Sequence, residues 1–433
     1  MLFSKVVQHT CRGFKGGTII SSLKDKNSDF KEFLRQEISQ KGNMSFADYM
    51  RHCLTHPDYG YYCKGDVFGR EGDFVTSPEI SQLFGEMVGV WCSVAYQKFP
   101  TPYKWNIVEL GPGKGTLARD VLRALRDVNC ITGLNLHMID VSPNLRKLQQ
   151  SNMAKLIESW GQKVNYDSED NIERVFSGDL NIQWYETLSQ CVNQYLKHLK
   201  GYPVIVLCHE IFDAMPIYIF EYSSEFGWCE MQVGYNNKFE LVRSQGPTQN
   251  VANVLQPSKR FKNPALSEGD RIELSPDSIN LMHQICELMK MSNDSAGLVI
   301  DYGDERAFGN SLRAIKQHKY IEKEEWLQVP GQVDLSAHVD FAALKSVVGR
   351  FSELKAHGPI PQGAFLESMG ISARIEVLET HVGVSKAERL QKDYERLVSP
   401  EYMGEIYKFM YFGNKEVGEV YPFLESLGFE KSK

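Results

Sequence analysis

Ile107-Val108-Glu109-Leu110-Gly111-Pro112-Gly113-Lys114-Gly115-Thr116-Leu117 decides how this chain is read. The apolar run Ile107–Leu110 reads as a buried strand, and from Thr116 to Leu125 the pattern is helical. Three alternating glycines stand between them. Glycine lets the backbone turn tightly and leaves room for a ligand above the loop. The start of the helix offers free N–H groups to a carboxylate or phosphate. A dinucleotide fingerprint is G-x-G-x-x-G. Here the third glycine falls one residue early, at Gly115, and Thr116 holds the other position. A Walker loop is excluded, because Lys114 is not in a G-K-[ST] frame.

Working outward, Leu136–Val141 reads as the next strand and Asn144–Ile157 as a helix, with further strands at Val204–Leu207 and Gly297–Ile300. Strands alternating with helices imply parallel β/α units, hence an α/β fold. Phe30–Arg51 is helical in pattern, with Ser45 placed as a cap. A Gly/Asp/Tyr-rich loop runs from His56 to Glu79. Pro78 then opens a helix whose apolar face is Leu83, Phe84, Met87, Val88 and Trp91. Ile217 to Val242 breaks into strand-like pieces with Gly and Asn turns, which suggests an inserted antiparallel section. Leu281–Met289 is helical, and the last hundred residues read as loops and amphipathic helices. The expected organisation is a leader over 1–24, N-terminal helices and a covering loop over 25–100, and one α/β domain over 101–433. Insertions are expected near 217–270 and 330–400.

Composition narrows the function. The 433 residues are 42% apolar and 24% charged, as in ordinary globular proteins. A net charge of −7 gives no basic surface for nucleic acid. No run of about eighteen apolar residues appears, so no membrane span is expected. The nine cysteines are scattered without a C-x-x-C pair, which argues against a zinc site and against a secreted disulfide scaffold. Met1 to Lys24 carries Lys5, Arg12, Lys15 and Lys24, no acid, and interspersed Ser and Thr. That composition reads as a mitochondrial transit peptide.

Four further segments carry candidate chemistry. Asp140 ends the strand Leu136–Val141, where a carboxylate can accept hydrogen bonds from the two hydroxyls of a ribose. Asp179, in Ser177-Gly178-Asp179-Leu180, could follow the third strand and meet an adenine amino group. In Cys208-His209-Glu210-Ile211-Phe212-Asp213, the carboxylates of Glu210 and Asp213 are three residues apart and could converge on a planar guanidinium. His209 could take up a proton or only orient Glu210. Asp334, His338 and Asp340 lie close in sequence but match no metal-ligand spacing, so pocket lining or loop fixing is expected rather than a metal.

The spacing E-x-G-x-G-x-G resembles motif I of class I methyltransferases, in which the loop wraps the methionine part of S-adenosylmethionine. Asp58–Tyr62, Gly72–Phe84, Glu109–Asp120, Asp140–Arg146, His209–Pro216, Asp301–Gly303, Gln332–Leu344, Gln362–Leu366 and Met403-Gly404 together resemble the MidA-like methyltransferases, a mitochondrial complex I assembly group. The resemblance covers about residues 30 to 415. It implies a Rossmann-like class I methyltransferase fold with S-adenosylmethionine as cofactor. It also implies a matrix enzyme that forms symmetric dimethylarginine on a peripheral-arm, iron–sulfur subunit of complex I. By motif, Glu109, Gly111, Gly113, Gly115 and Asp140 go to the cofactor and Glu210 and Asp213 to the methyl acceptor. Thr76–Glu79 is expected to lie over the cofactor. The competing readings are an NAD-dependent oxidoreductase, which the early third glycine disfavours, a small-molecule methyltransferase, and a non-catalytic assembly chaperone on the same fold.

Overall fold

The computed structural model describes residues 23–63, 76–100, 104–169, 172–194, 201–257, 261, 265–292, 294–317, 319–321 and 325–427. The expected leader lies outside these, but for its last two residues, as does most of the glycine-rich loop after Cys63. The chain divides into two compact units, each built from three segments. One comprises Met1–Phe74, Asp213–Asn280 and Arg306–Asp340, the other Val75–Phe212, Leu281–Glu305 and Phe341–Lys433. The expected boundary at residue 100 therefore moves. Residues 30–62 share a core with the inserted section, whereas the helix after Pro78 belongs to the other unit.

That second unit is built on a large sheet. Its strands are β1 (Trp105–Leu110), β2 (Leu134–Ile139), β3 (Asn165–Glu169), β4 (Ile172–Ser177), β5 (Leu180–Tyr185), β6 (Val204–His209), β7 (Ser295–Asp304), β8 (Leu354–Pro361) and β9 (Tyr407–Asn414). They lie in the order 8-9-7-6-1-2-5-4-3. Strands 7, 6, 1, 2 and 5 are parallel, while β9, β8, β4 and β3 join by antiparallel pairing. The parallel strands β1, β2 and β6 are buried along their whole length, as sheets covered on both faces require. β9 is equally buried, in a region read from sequence as loop and helix.

Helices α1 (Gln82–Tyr96) and α2 (Thr116–Asp127) pack against each other. Leu117, Val121, Leu122 and Leu125 give α2 its buried stripe. Gly85 and Gly89 on α1 permit the close approach. A Cβ on Gly85 would lie 2.5 Å from the Asp120 Cβ, and one on Gly89 2.6 Å from the Ala124 Cβ. Helix α3 (Pro143–Ser159) follows β2, with Ser142 as its cap accepting from the Leu145 N–H.

In the other unit, the helices Leu23–Lys41 and Phe46–Thr55 span the stretch read as helical over Phe30–Arg51. Gly42, at φ +87°, makes the break, and Ser45 caps the second helix by accepting from Asp48 N–H. Phe30, Phe46, Tyr49 and Trp326 fill its core. The section expected to be antiparallel is so: Tyr218–Ser223, Gly227–Asn236 and Lys238–Arg243 form a meander.

Candidate active site

The order of the parallel strands reverses at β1, with β2 on one side and β6 on the other. Loops leaving the carboxyl ends of strands at such a point form the ligand crevice of open α/β sheets. Both the glycine loop after β1 and the segment after β6 leave there, within the second unit.

Gly111, Gly113 and Gly115 all have left-handed backbones, at φ +64°, +53° and +77°. Around Gly115 the space is taken by Met153, Met138 and Gln149, whereas among the described residues no atom beyond the neighbouring ones lies within 4 Å of where a Cβ on Gly113 would stand. The loop is thus packed at its base and open at Gly113. The Glu109 side chain, 2% exposed, lies at the end of β1, and its Oε2 makes no hydrogen bond among the described residues. Burial, and then the charge of Asp140, push its carboxyl up to about 8. Asp140 stands just past β2. Its Oδ1 accepts from Ser142 N–H at 2.8 Å and its Oδ2 from Gln149 Nε2 at 2.9 Å. Burial raises Asp140 to about 6, against the lowering effect of those bonds and of Arg146. An open cradle flanked by buried carboxylate oxygens fits a ligand that carries hydroxyl and ammonium donors.

Two residues of α3, unnoticed in the sequence, tie this loop down. Gln149 Nε2 also donates to Gly113 O at 2.7 Å, and Asn152 Nδ2 donates to Lys114 O at 3.0 Å. The only signal was two amides three apart on one helical face.

After β6, Glu210 adopts φ +47°, rare for a residue with a side chain. Its N–H donates to Ile300 O at 2.9 Å. Phe212 N–H donates to Asp301 Oδ2 at 3.1 Å, and Tyr302 N–H to Asp301 Oδ1 at 2.9 Å. The fully buried Asp301 on β7 therefore fixes the turn that carries Glu210. Ile211 Cδ1 comes within 2.7 Å of where a Cβ on Gly111 would stand, so this turn rests on the glycine loop. His209 meets the Phe84 ring edge-on at 5.3 Å, and its Nε2 is 3.4 Å from Glu210 Oε1. Burial pushes His209 down to about 3, so it is neutral near pH 7. So weak a base is a poor proton acceptor, and the His209 Nε2 makes no hydrogen bond among the described residues.

Two expectations change. Asp179 is exposed in the turn that precedes β5, so it lies at the opposite end of the sheet from the glycine loop. The reading that placed it after the third strand is wrong, because the hairpin β3–β4 comes before that strand. Asp213 falls in the other unit from Glu210, where its carbonyl accepts from Ala337 N–H at 2.9 Å. In that unit Asp334 accepts from Tyr62 OH at 2.8 Å, and His338 N–H donates to Ser311 Oγ at 2.9 Å. Ser77 is buried, with its Oγ 3.4 Å from Gln362 Oε1. Among the described residues, one group has the chemistry to ligate a metal: His357, Glu419 and Glu425. There the Lys355 ammonium, 3.0 Å from Glu425, already supplies a cation.

The Glu109 carboxyl has a measurable signature. The folded protein holds its proton up to about pH 8, whereas the unfolded chain releases it near 4.5. Its contribution to stability is full below pH 4.5 and is lost as pH rises through 8. Glu109→Gln without cofactor is expected to raise the thermal midpoint at pH 9 by about 5 °C, and to leave it unchanged at pH 4. Thermal melts at the two pH values check this.

Comparison with known proteins bears on the same residues. The profile of an S-adenosyl-L-methionine-dependent methyltransferase family matches residues 87–360. The zebrafish (Danio rerio) protein named protein arginine methyltransferase NDUFAF7, mitochondrial, is 32% identical, covering 88% of this chain and 86% of its own. The Drosophila melanogaster homologue is 33% identical over 87% and 83%, and the human protein 31% identical over 87% and 81%. A Burkholderia thailandensis crystal structure bound to S-adenosylhomocysteine shares the fold at a TM-score of 0.72, with 23% identity over 93% of this chain and 97% of that one. The chain therefore belongs to the family of S-adenosylmethionine-dependent methyltransferases that includes the NDUFAF7 proteins, and S-adenosylmethionine is its cofactor.

Proposed function

We propose that this protein is a protein arginine methyltransferase of the mitochondrial matrix. Its proposed product is symmetric dimethylarginine on a peripheral-arm, iron–sulfur subunit of complex I during assembly. The relatives that share most of the chain are named mitochondrial protein arginine methyltransferases. The observation that carries the reading is Glu210. A carboxylate is held in a rare backbone conformation on a turn that rests against the glycine loop.

Glu109, Asp140 and the open face at Gly113 would hold the cofactor. S-adenosylmethionine supplies, when bound, a methyl group on a sulfonium sulfur. Methyl transfer is a displacement at carbon, so the protein's work is orientation. In this reading Glu210 pairs with the guanidinium of the acceptor and fixes one nitrogen for attack. The Glu210 carboxylate then takes the proton that the methylated nitrogen gives up. His209, neutral and wedged against Phe84, packs beside Glu210, its Nε2 3.4 Å from Oε1. Asp301 holds the turn.

The test is incubation of the protein with methyl-tritiated S-adenosylmethionine and mitochondrial extract from cells lacking it, followed by acid hydrolysis. Tritium is expected in symmetric dimethylarginine from one complex I subunit. Label confined to a small molecule, or to asymmetric dimethylarginine, would overturn the proposal.

A further inference from the structure

Gln149 is fully buried in the middle of α3. Burying a glutamine there costs side-chain entropy and the desolvation of an amide. The surroundings would suit an apolar side chain, since Met138 and Met153 stand beside it around Gly115. The amide must therefore be present for its hydrogen bonds, and both go to the cofactor crevice. One Nε2–H group reaches Gly113 O at 2.7 Å and the other Asp140 Oδ2 at 2.9 Å. A single NH2 group thus joins the loop after β1 to the carboxylate after β2.

The consequence for Asp140 is specific. Its Oδ1 takes the Ser142 N–H and its Oδ2 takes Gln149. A carboxylate oxygen accepts about two hydrogen bonds, so each oxygen keeps one acceptor position. The carboxylate plane is fixed from the protein side, and what remains suits two neighbouring hydroxyl donors. Gly113, held by its carbonyl, keeps its open face turned to the same crevice. Asn152 repeats the device on Lys114 O, so α3 fastens two successive loop carbonyls.

We propose that Gln149 is a positioning residue for the cofactor, whose amide locks the Gly113 carbonyl and the Asp140 carboxylate into the arrangement that accepts a ribose diol. This rests on the assignment of the glycine loop and Asp140 to S-adenosylmethionine. The titratable and charged groups facing Asp140 are Glu109 from β1, protonated up to about pH 8, and Arg146 from α3, and both remain in the variants below.

The test is titration calorimetry of S-adenosylhomocysteine into the full chain between pH 5.5 and 8.5. Gln149→Met keeps the length of the side chain and removes both donors. It is expected to weaken binding about 10- to 30-fold at pH 7 and to shift the acid limb of the binding profile upward by about one pH unit. Asp140, already raised by burial, loses a bond that keeps it ionised. Gln149→Glu, matched in size, places a second carboxyl against Asp140. It is expected to bind worst at pH 8.5 and to recover as pH falls, which a purely structural role would not produce. Wild-type affinity and an unshifted pH profile in either folded variant would overturn the proposal. Asp140→Asn separates the two levels. If it loses binding while both Gln149 variants bind normally, the cofactor assignment stands and the role of Gln149 fails. If wild-type protein itself does not bind, the assignment fails first.

Discussion

Glu210→Gln is expected to bind S-adenosylmethionine within about twofold of wild type and to transfer methyl groups 100- to 1,000-fold more slowly. The size follows from the interaction removed. A charge-assisted, two-point contact to a guanidinium that matters in the transition state is worth about 3–4 kcal/mol, and each 1.36 kcal/mol is tenfold in rate. The turn itself should survive. The backbone of Glu210 is held by Ile300 O and that of Phe212 by Asp301, neither of which involves the Glu210 side chain. His209 is neutral, so loss of the carboxylate leaves no stranded cation. Single-turnover methylation with saturating cofactor, beside calorimetric cofactor binding, separates the two effects. Unchanged turnover would remove Glu210 from the acceptor site. Complex I assembly restored in deficient cells by Glu210→Gln would favour the non-catalytic chaperone.

The site was legible where chemistry and periodicity coincide in one short stretch. Ile107 to Leu125 passes from a strand through three glycines into a helix, and the structure keeps that order in β1, the loop and α2. Asp140 was legible because it ends a second apolar run, now β2. Asp179 misled because a Gly-Asp turn reads alike before or after a strand. Only the pairing of β4 with β5 shows that it precedes the third strand. β9 was missed for the opposite reason. Tyr407–Asn414 is buried on both faces between β7 and β8, so it has no polar alternation to mark it as a strand. Gln149 looked like any polar residue of an amphipathic helix, since its partners lie 36 and 9 residues earlier. The shared core of residues 30–62 and 214–241 left no local trace either, because long-range packing is not written in any one window.

Gly113→Val carries the second large effect. Among the three glycines, Gly113 has the open face, with no atom of the described residues, its neighbours aside, within 4 Å of where a Cβ would stand. Valine there meets no wall among the described residues, but its backbone at φ +53° is strained by about 1–3 kcal/mol. The variant should fold, melt several degrees lower, and place its branched side chain in the space above the loop. Titration calorimetry of S-adenosylmethionine into wild type and Gly113→Val, each with a thermal melt to establish folding, tests the cofactor site most directly. Wild type is expected to bind one equivalent and Gly113→Val at least 100-fold more weakly. A folded wild type that takes up no S-adenosylmethionine, or a Gly113→Val protein that binds it as wild type does, would contradict the placement of the cofactor on this loop.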